Sequence, residues 1–281
     1  MKKRVSILRY PGGKFKAIKY IKPFWEKVKH DEYREPFVGG GSVFIAKSEV
    51  KFNWINDING ELISFYKVLT DDVLREELIK ELLDFEVTRE NYEKIFHSSP
   101  TELVQKAKKF YILNRCSFSG ISKWKSFIGD VRYNIKKQQD NLRLVGEKLK
   151  NFEITNIDFE KVITAPPKSS GKVFLFLDPP YAESRQEAAY EFPFAMKDHV
   201  RLAKLLKKTK YYFLLTYDDC KFIRDLYSWA NLYERGWTYS VANVNTHHNP
   251  REYGRELFIS NFKLNGEKQK TLSCLQEPIQ N

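Results

Sequence analysis

The segment Lys172–Tyr181 constrains the fold of this chain most, because an apolar strand pattern there ends abruptly in a carboxylate and two prolines. Lys172–Leu177 reads Lys-Val-Phe-Leu-Phe-Leu, which is typical of a central strand buried on both faces. The next four residues, Asp178–Tyr181, read Asp-Pro-Pro-Tyr, and neither proline can donate to a β-ladder. The sequence therefore predicts an α/β fold with this tetrapeptide at the carboxyl edge of the sheet, where open α/β sheets bind ligands.

The tetrapeptide carries groups that suit a planar base with an exocyclic amine. The Asp178 carboxylate and the Pro179 carbonyl can each accept a hydrogen bond from an amino group that has two hydrogens. Tyr181 offers a flat face for stacking, and Pro179 and Pro180 hold the groups in place. A bare Pro-Pro-aromatic sequence most often only ends a strand, but its position after an aspartate and a buried strand favours a base-binding site.

The overall charge and the aromatic content narrow the class of partner. The net charge is +12, and the chain has 21 Phe, 16 Tyr and 5 Trp. Phosphates bind lysine and arginine while bases stack on aromatic rings, so these numbers favour a nucleic acid, although a basic surface can also serve solubility alone. The 3 cysteines are widely spaced and indicate neither a disulfide framework nor a metal site.

No segment has the length or composition of a membrane span. A span needs about 18 consecutive apolar residues, and no run in this chain approaches that length. The basic start Met1-Lys2-Lys3 is not followed by the long apolar segment of a signal peptide. We therefore expect a cytoplasmic protein with no membrane partner.

A glycine turn follows the first predicted strand. Tyr33–Pro36 is a short strand pattern, and Phe37–Phe44 supplies a turn and the start of a helix, the geometry of a nucleotide-binding crevice. Gly39 and Gly41 match the first two glycines of the dinucleotide fingerprint, but Phe44 takes the third place. We therefore expect a nucleoside ligand without a pyrophosphate, for which S-adenosylmethionine is the obvious candidate.

Acidic residues follow two further predicted strands. Asp57 ends the strand Val50–Asn56 and is placed to accept hydrogen bonds from ribose hydroxyls. Capping of the next helix is an alternative role, which Asp57 or Asn59 could fill equally well, and both roles can coexist. Asp158 follows the strand Phe152–Asn156 and is a second candidate cofactor contact.

The segment between these strands is mainly helical and strongly basic. Its helical patterns are Leu62–Phe85, Arg89–Phe96 and Glu102–Leu113. From Thr101 to Lys150 the chain has 12 Lys and Arg against 4 Asp and Glu, so +8 of the net charge lies there. A solvated helix face explains scattered lysines but not the aromatic residues Phe118 and Trp124 among them. We interpret Gln105–Lys150 as the nucleic-acid contact surface.

The remaining chain completes a sheet. The pattern predicts a helix at Ala195–Lys207 and strands at Lys210–Thr216, Gly236–Ala242 and Glu256–Phe262. The loop Asn245–Arg255 between the last two strands contains His247 and His248, to which we assign no catalytic role. Residues 265–281 form a polar tail.

Taken together, these motifs resemble those of the Dam-like DNA adenine-N6 methyltransferases, the D12 or alpha class. Arg9–Lys14 is similar to the N-terminal cofactor motif of that family, Glu35–Phe44 to its glycine motif and Asn56–Asn59 to its ribose motif. Asp178–Tyr181 looks like its catalytic tetrapeptide, and Glu256–Phe262 looks like its closing strand. The motifs occur in the family's order, which is more specific than any one of them.

The resemblance implies a methyltransferase Rossmann-like sheet with an antiparallel last strand, plus a mainly helical target-recognition insert. We expect a catalytic domain that binds S-adenosylmethionine at residues 1–59 and 151–264, and a recognition domain at residues 60–150. The expected cofactor contacts are Tyr10, Gly13, Lys14, Phe37, Gly39, Gly41, Asp57, Asp158 and Asp178. The expected DNA contacts are Arg115, Phe118, Ser119, Lys123, Trp124, Lys125 and Arg132.

The recognition loop departs from the family pattern. That pattern commonly reads Asn-Arg-x-x-aromatic-Asn-Gly-x-x-Arg, whereas this chain has Ser119 for the second Asn and Lys123 for the final Arg. Phe118 is then the expected intercalating or stacking aromatic residue. The sequence therefore does not predict a GATC target.

The expected function is methyl transfer from S-adenosylmethionine to N6 of an adenine flipped out of duplex DNA. We expect a monomer that serves restriction–modification or DNA marking, with a cognate restriction endonuclease as a functional partner. Cytosine-N4 or RNA methylation is an alternative, but Asp178 in place of a serine before Pro-Pro-Tyr favours adenine. An inactive nucleic-acid-binding module on the same fold is another, and the intact tetrapeptide and glycines argue against it.

Overall fold

One seven-stranded sheet forms the centre of the molecule, in the order β3-β2-β1-β4-β5-β7-β6. The computed structural model describes residues 5–10, 12–117, 126–130, 132–182, 194–238 and 253–264. The strands are β1 (Glu32–Glu35), β2 (Phe52–Asn56), β3 (Phe152–Thr155), β4 (Val173–Leu177), β5 (Tyr212–Asp218), β6 (Asn231–Thr238) and β7 (Tyr253–Ser260). Strands β1 to β5 are parallel, and β7 is antiparallel to both β5 and β6. The predicted sheet with an antiparallel last strand is confirmed.

Strand β4 is buried along its whole length, as its apolar pattern predicted. Its side chains alternate between the two faces of the sheet, since successive residues of a strand point in opposite directions. Phe174 and Phe176 belong to one hydrophobic cluster, and Leu175 and Leu177 belong to the other. Apolar layers on both faces hold β4 rigid and fix the position of the residues that follow it.

Helices cover both faces of the sheet. They are α1 (Ile18–Lys27), α2 (Ser42–Ala46), α3 (Gly60–Thr70), α4 (Asp72–Leu83), α5 (Arg89–His97), α6 (Leu103–Cys116), α7 (Ile135–Leu149), α8 (Phe159–Thr164), α9 (Met196–Lys208) and α10 (Lys221–Leu226). Within the described ranges, no helix is both long and apolar enough to cross a membrane.

The chain between β2 and β3 is helical, from α3 to α7. The helical pattern predicted at Leu62–Phe85 is present as two helices, α3 and α4, because Asp71 accepts hydrogen bonds from the N–H groups of Val73 and Leu74 and starts a new helix. Helix α7 was missed, although its buried residues recur at helical spacing. The hydrophobic cluster of this segment is continuous with one face of the sheet.

The last two strands begin earlier than predicted. We expected Gly236–Ala242 and Glu256–Phe262, whereas β6 and β7 pair from Asn231 with Ser260 to Thr238 with Tyr253. The local pattern is ambiguous here because polar and apolar residues continue to alternate after β7, through Asn261–Leu264. Pairing of β7 with β5 as well as β6 fixes the register, and that is a tertiary effect.

Candidate active site

The carboxyl ends of four parallel strands meet at one edge of the sheet and carry the candidate site. Asp178–Tyr181 follows β4, the glycine turn follows β1, Asp57 follows β2, and the end of β5 lies beside β4. Parallel strands present their ends on the same side, so residues from distant parts of the sequence come together there.

A buried ion pair joins the N-terminal motif to the tetrapeptide. The Lys14 Nζ lies 2.8 Å from Asp178 Oδ1 and 4.9 Å from the centre of the Tyr181 ring. It also donates a hydrogen bond of 2.8 Å to the carbonyl of Gly12. Burial by itself would lower the pKa of Lys14, but the carboxylates of Asp178 and Glu256 outweigh it and raise that pKa. Lys14 therefore remains a cation at neutral pH.

The oxygens of Asp178 have different surroundings. Oδ1 accepts hydrogen bonds from Lys14 and, over 2.7 Å, from the hydroxyl of Thr216. Oδ2 has no hydrogen-bond partner among the residues that the structure describes. The side chain of Asp178 is 20% exposed, so Oδ2 is open to a ligand.

The buried side chain of Tyr217 packs next to Tyr181, and that of His199 contacts Tyr217. The ring of Tyr181 lies 6.1 Å from that of Tyr217, whose hydroxyl is 2.6 Å from Nδ1 of His199. Burial lowers the pKa of His199, so its imidazole is neutral at physiological pH. The N–H of Ala182 donates to Asp218 at 3.1 Å. Sequence reasoning found none of these supporting residues.

The glycine turn needs residues without a side chain. Gly39 and Gly41 have φ of 45° and 72°, in the left-handed region that favours glycine. Tyr10 packs on this turn, because a Cβ at Gly39 or Gly40 would lie 2.9 or 2.8 Å from its side chain. The N–H of Gly13 donates to the carbonyl of Tyr10, which links this contact to the turn that carries Lys14.

Asp57 holds the glycine turn in place. Its carboxylate accepts hydrogen bonds from the N–H of Gly39 at 2.9 Å and of Asn59 at 3.0 Å. Burial raises the pKa of Asp57, and these bonds offset part of the effect. Asn59, rather than Asp57, caps α3, because its side chain accepts from the N–H of Leu62. The next residue, Ile58, leaves an apolar side chain 53% exposed beside Asp57, a feature that the sequence analysis did not single out.

Asp158 caps α8 and pairs with Arg201. It accepts from the N–H of Glu160, and Arg201 contacts its two oxygens at 2.9 and 2.8 Å. Burial would raise the pKa of Asp158, but Arg201 and the Glu160 N–H outweigh it and lower that pKa. The rings of Phe37 and Phe159 lie 5.3 Å apart, next to Asp158.

A buried carboxyl group lies beneath the site. Glu35 at the end of β1 accepts a hydrogen bond of 2.6 Å from the hydroxyl of Tyr33. Burial raises the pKa of Glu35 to about 8, and the nearby charge of Asp178 contributes to the shift. Glu35 is therefore mostly neutral at pH 7. From the sequence, Glu35 is recognisable only as part of the glycine motif, with no role of its own.

Three arginines lie close together beside the site. Burial, followed by the charges of Arg132 and Arg115, lowers the pKa of Arg9. Asn114 fixes the main chain of Arg9, accepting from its N–H at 2.9 Å and donating to its carbonyl at 2.6 Å. Arg9 Nη1 donates to the carbonyl of Ser117.

Arg115 is only 8% exposed, and its Nε has no hydrogen-bond partner in the described structure. Arg132 is exposed. Neither Arg9, Arg115 nor Arg132 forms an ion pair with a carboxylate of the described residues. The other candidate DNA contacts lie outside the described residues; they are Phe118, Ser119, Lys123, Trp124 and Lys125.

The strand order, the antiparallel β7 and the glycine turn after β1 define a Rossmann-like fold of the methyltransferase type. A family model described as "D12 class N6 adenine-specific DNA methyltransferase" matches residues 10–241. The chain therefore belongs to the D12 class of N6 adenine-specific DNA methyltransferases. It is an enzyme that acts on DNA and requires a methyl donor, and the resemblance predicted from its motifs is confirmed.

Named relatives come from several kinds of source. The type II methyltransferase M.MjaIII of Methanocaldococcus jannaschii is 32% identical, over 72% of this chain and 78% of that protein. The type II methyltransferase M.CviBI of Paramecium bursaria Chlorella virus NC1A is 27% identical, over 79% of this chain and 85% of that protein. The DNA adenine methylase of Serratia marcescens is 26% identical, over 83% of this chain and 90% of that protein.

Proposed function

We propose that this enzyme transfers the methyl group of S-adenosylmethionine to N6 of an adenine flipped out of duplex DNA. One observation carries the proposal: contacts link the tetrapeptide, the two glycine-containing turns and Asp57 into one site. The ion pair of Lys14 with Asp178 connects the N-terminal turn to the tetrapeptide. Tyr10 packs on the glycine turn, and the N–H of Gly39 in that turn donates a hydrogen bond to Asp57. An amine-binding carboxylate thus lies next to a turn suited to a nucleoside cofactor.

The reaction requires that the amine lie in line with the sulfonium methyl group. The lone pair of N6 attacks the methyl carbon, the carbon–sulfur bond breaks, and its electron pair remains on sulfur as a neutral thioether. N6 then carries a positive charge and loses one proton, which Asp178 can accept and pass to water. Asp178 and the Pro179 carbonyl hold the amine hydrogens, while Tyr181 supports the flipped ring.

The cofactor would lie along the carboxyl ends of β1, β2 and β3. Each oxygen of Asp57 has a second lone pair beyond its bond to a backbone N–H, which a ribose hydroxyl can use. The proposed cofactor contacts in and beside the two turns are Tyr10, Gly13, Lys14, Gly39 and Gly41. The exposed Ile58 offers an apolar surface to an adenine ring, and Phe37 and Asp158 lie farther along the same edge.

We expect Asp57→Ala to weaken S-adenosylmethionine binding by about 1.5–3 kcal/mol, the usual value of hydrogen bonds to a charged group. Calorimetric titration measures the loss. Asp71→Ala is the matched control, because Asp71 also accepts two backbone N–H bonds, but at the start of α4 and away from this edge. Unchanged affinity in Asp57→Ala would limit Asp57 to holding the glycine turn.

The arginine cluster supports DNA binding beside this site. Arg115 is buried, and its Nε has no hydrogen-bond partner among the described residues, which costs folding free energy unless an anion binds there. A DNA phosphate is a suitable anion, and Arg132 and Arg9 add charge to the same place. We propose residues 60–150 as the recognition unit. Its further proposed contacts lie outside the described residues and are Phe118, Ser119, Lys123, Trp124 and Lys125.

Replacing Arg115 with methionine should weaken binding to every DNA duplex by a similar factor. The slope of log K against log salt should become shallower by about 1, because one phosphate contact is lost. Fluorescence anisotropy at several salt concentrations measures both. Lys221→Met is the control, since Lys221 is an exposed cation on α10 that pairs with Asp225. A loss confined to one DNA sequence would show that Arg115 reads a base.

A type II relative also suggests the biological setting. We propose that this chain protects DNA in a restriction–modification system, as a monomer, with a restriction endonuclease of the same specificity as its functional partner. Methylation-sensitive sequencing of DNA from a host that expresses the chain tests the whole proposal. One short adenine-containing motif should be methylated throughout, and unmodified DNA would refute the assignment.

A further inference from the structure

The hydroxyl of Thr216 is placed on the catalytic carboxylate by the centre of the sheet. Thr216 lies on β5, is completely buried, and pairs through its main chain with Phe258 of β7. Its Oγ1 donates to Asp178 Oδ1 at 2.7 Å and lies 3.3 Å from the carbonyl of Leu177. The neighbouring strand β4 carries Asp178, so both groups are attached to rigid, paired backbone.

Two donors on one oxygen restrict rotation of the carboxylate. Lys14 alone is a point charge on a flexible stem, and it could move between the two oxygens of Asp178. Thr216 has a stiff, β-branched side chain whose hydroxyl reaches Oδ1. With both donors present, Oδ1 is occupied by the protein, whereas Oδ2 of this 20% exposed side chain has no hydrogen-bond partner among the described residues.

We propose that Thr216 is a positioning residue for methyl transfer, which with Lys14 holds Asp178 so that Oδ2 accepts a hydrogen of the target amine. This inference rests on the proposed function at the same site. In-line attack depends on the direction of the N6 lone pair, and that direction follows from which oxygen holds the amine and at what angle.

The test compares Thr216→Val with Thr216→Ser. Valine has nearly the shape of threonine and removes only the hydroxyl, whereas serine retains it. Transfer of a tritiated methyl group from S-adenosylmethionine to unmethylated plasmid DNA gives kcat and both KM values, and thermal denaturation gives Tm. Thr164→Val is the matched control, because the Thr164 hydroxyl donates over the same 2.7 Å, but to the Glu160 carbonyl on the exposed face of α8.

We expect Thr216→Val to lower kcat by roughly 10- to 100-fold, the size of effect that small misplacements of reacting groups produce. Its KM for S-adenosylmethionine and its Tm should stay close to those of the Thr164→Val control. Thr216→Ser should recover most of the lost kcat. This split between kcat and KM, with rescue by serine, is not expected of a residue that serves stability alone.

Three outcomes would overturn the inference: an unchanged kcat in Thr216→Val, a loss in Thr216→Ser as large as that in Thr216→Val, or a lower kcat explained by a matching fall in Tm. Wild-type enzyme is assayed in parallel on the same DNA. Failure of the wild type to methylate any DNA would refute the proposed function itself. Activity in the wild type with an unaffected Thr216→Val variant would refute only the role of Thr216.

Discussion

Replacing Asp178 with alanine is expected to lower the rate of methyl transfer by about 100- to 1,000-fold, the usual loss when one fixed electrostatic contact to a reacting group is removed. In the proposed mechanism this carboxylate holds and orients the target amine, and its Oδ2 has no hydrogen-bond partner among the described residues. Single-turnover transfer of a tritiated methyl group measures the rate. A variant that retains more than a tenth of the wild-type rate, a loss below about 1.4 kcal/mol, would contradict the role of Asp178.

Asp178→Ala should also destabilise the folded protein, because it breaks a buried ion pair. Its partner Lys14 is almost completely buried, and removing the carboxylate leaves that ammonium without its ion-pair partner. We expect the free energy of unfolding to fall by up to about 3 kcal/mol. The double variant Lys14→Met with Asp178→Ala should recover much of this stability while remaining inactive. Recovery of stability without activity separates the structural part of the effect from the chemical part.

Replacing Gly41 with alanine is expected to destabilise the protein by about 2–5 kcal/mol, combining a left-handed backbone with steric overlap. Gly41 has φ of 72°, and an added Cβ would lie 2.3 Å from Phe44 Cε1 and 2.7 Å from the Tyr66 hydroxyl. Both neighbours are buried, so neither can move away freely. Chemical denaturation measures the loss, and the affinity for S-adenosylmethionine should fall with it because the turn is displaced.

Gly129 provides the matched control for this substitution. It has a similar φ of 82°, but an added Cβ would meet no atom of the described residues within 4 Å. Gly129→Ala should therefore cost only the backbone strain, about 1–2 kcal/mol. An equal loss of unfolding free energy in the two variants would show that overlap of the added Cβ with Phe44 and Tyr66 does not destabilise the protein.

Local chemistry was enough to predict much of this enzyme from its sequence. An apolar run that ends in Asp-Pro-Pro-Tyr predicts a buried strand and a ligand edge, and β4 confirms the strand. The glycine spacing predicts a turn between a strand and a helix, and Gly39 and Gly41 lie in that turn with positive φ. These signals can be read from the sequence because each is made by residues that are adjacent in the chain. The order of several such motifs then indicated the family.

Other features depend on residues that are distant in sequence. The ion pair of Lys14 with Asp178, the bond from Thr216 to the same carboxylate, and the contact of Arg9 with Asn114, 105 residues away, leave no periodic pattern in the chain. Sequence reasoning gave Lys14 to the cofactor and overlooked Thr216. It also placed β6 and β7 too late.

The sequence by itself determined which chemical groups stand at the ends of the strands, because strand ends, prolines and glycines act on their immediate neighbours. Only the tertiary structure decided how those groups pair. The register of β5 against β4, which pairs Leu215 with Leu177, places Thr216 beside Asp178, and Lys14 forms a buried ion pair with that carboxylate. Register and burial arise from packing of the whole sheet and its helices, so no local segment encodes them.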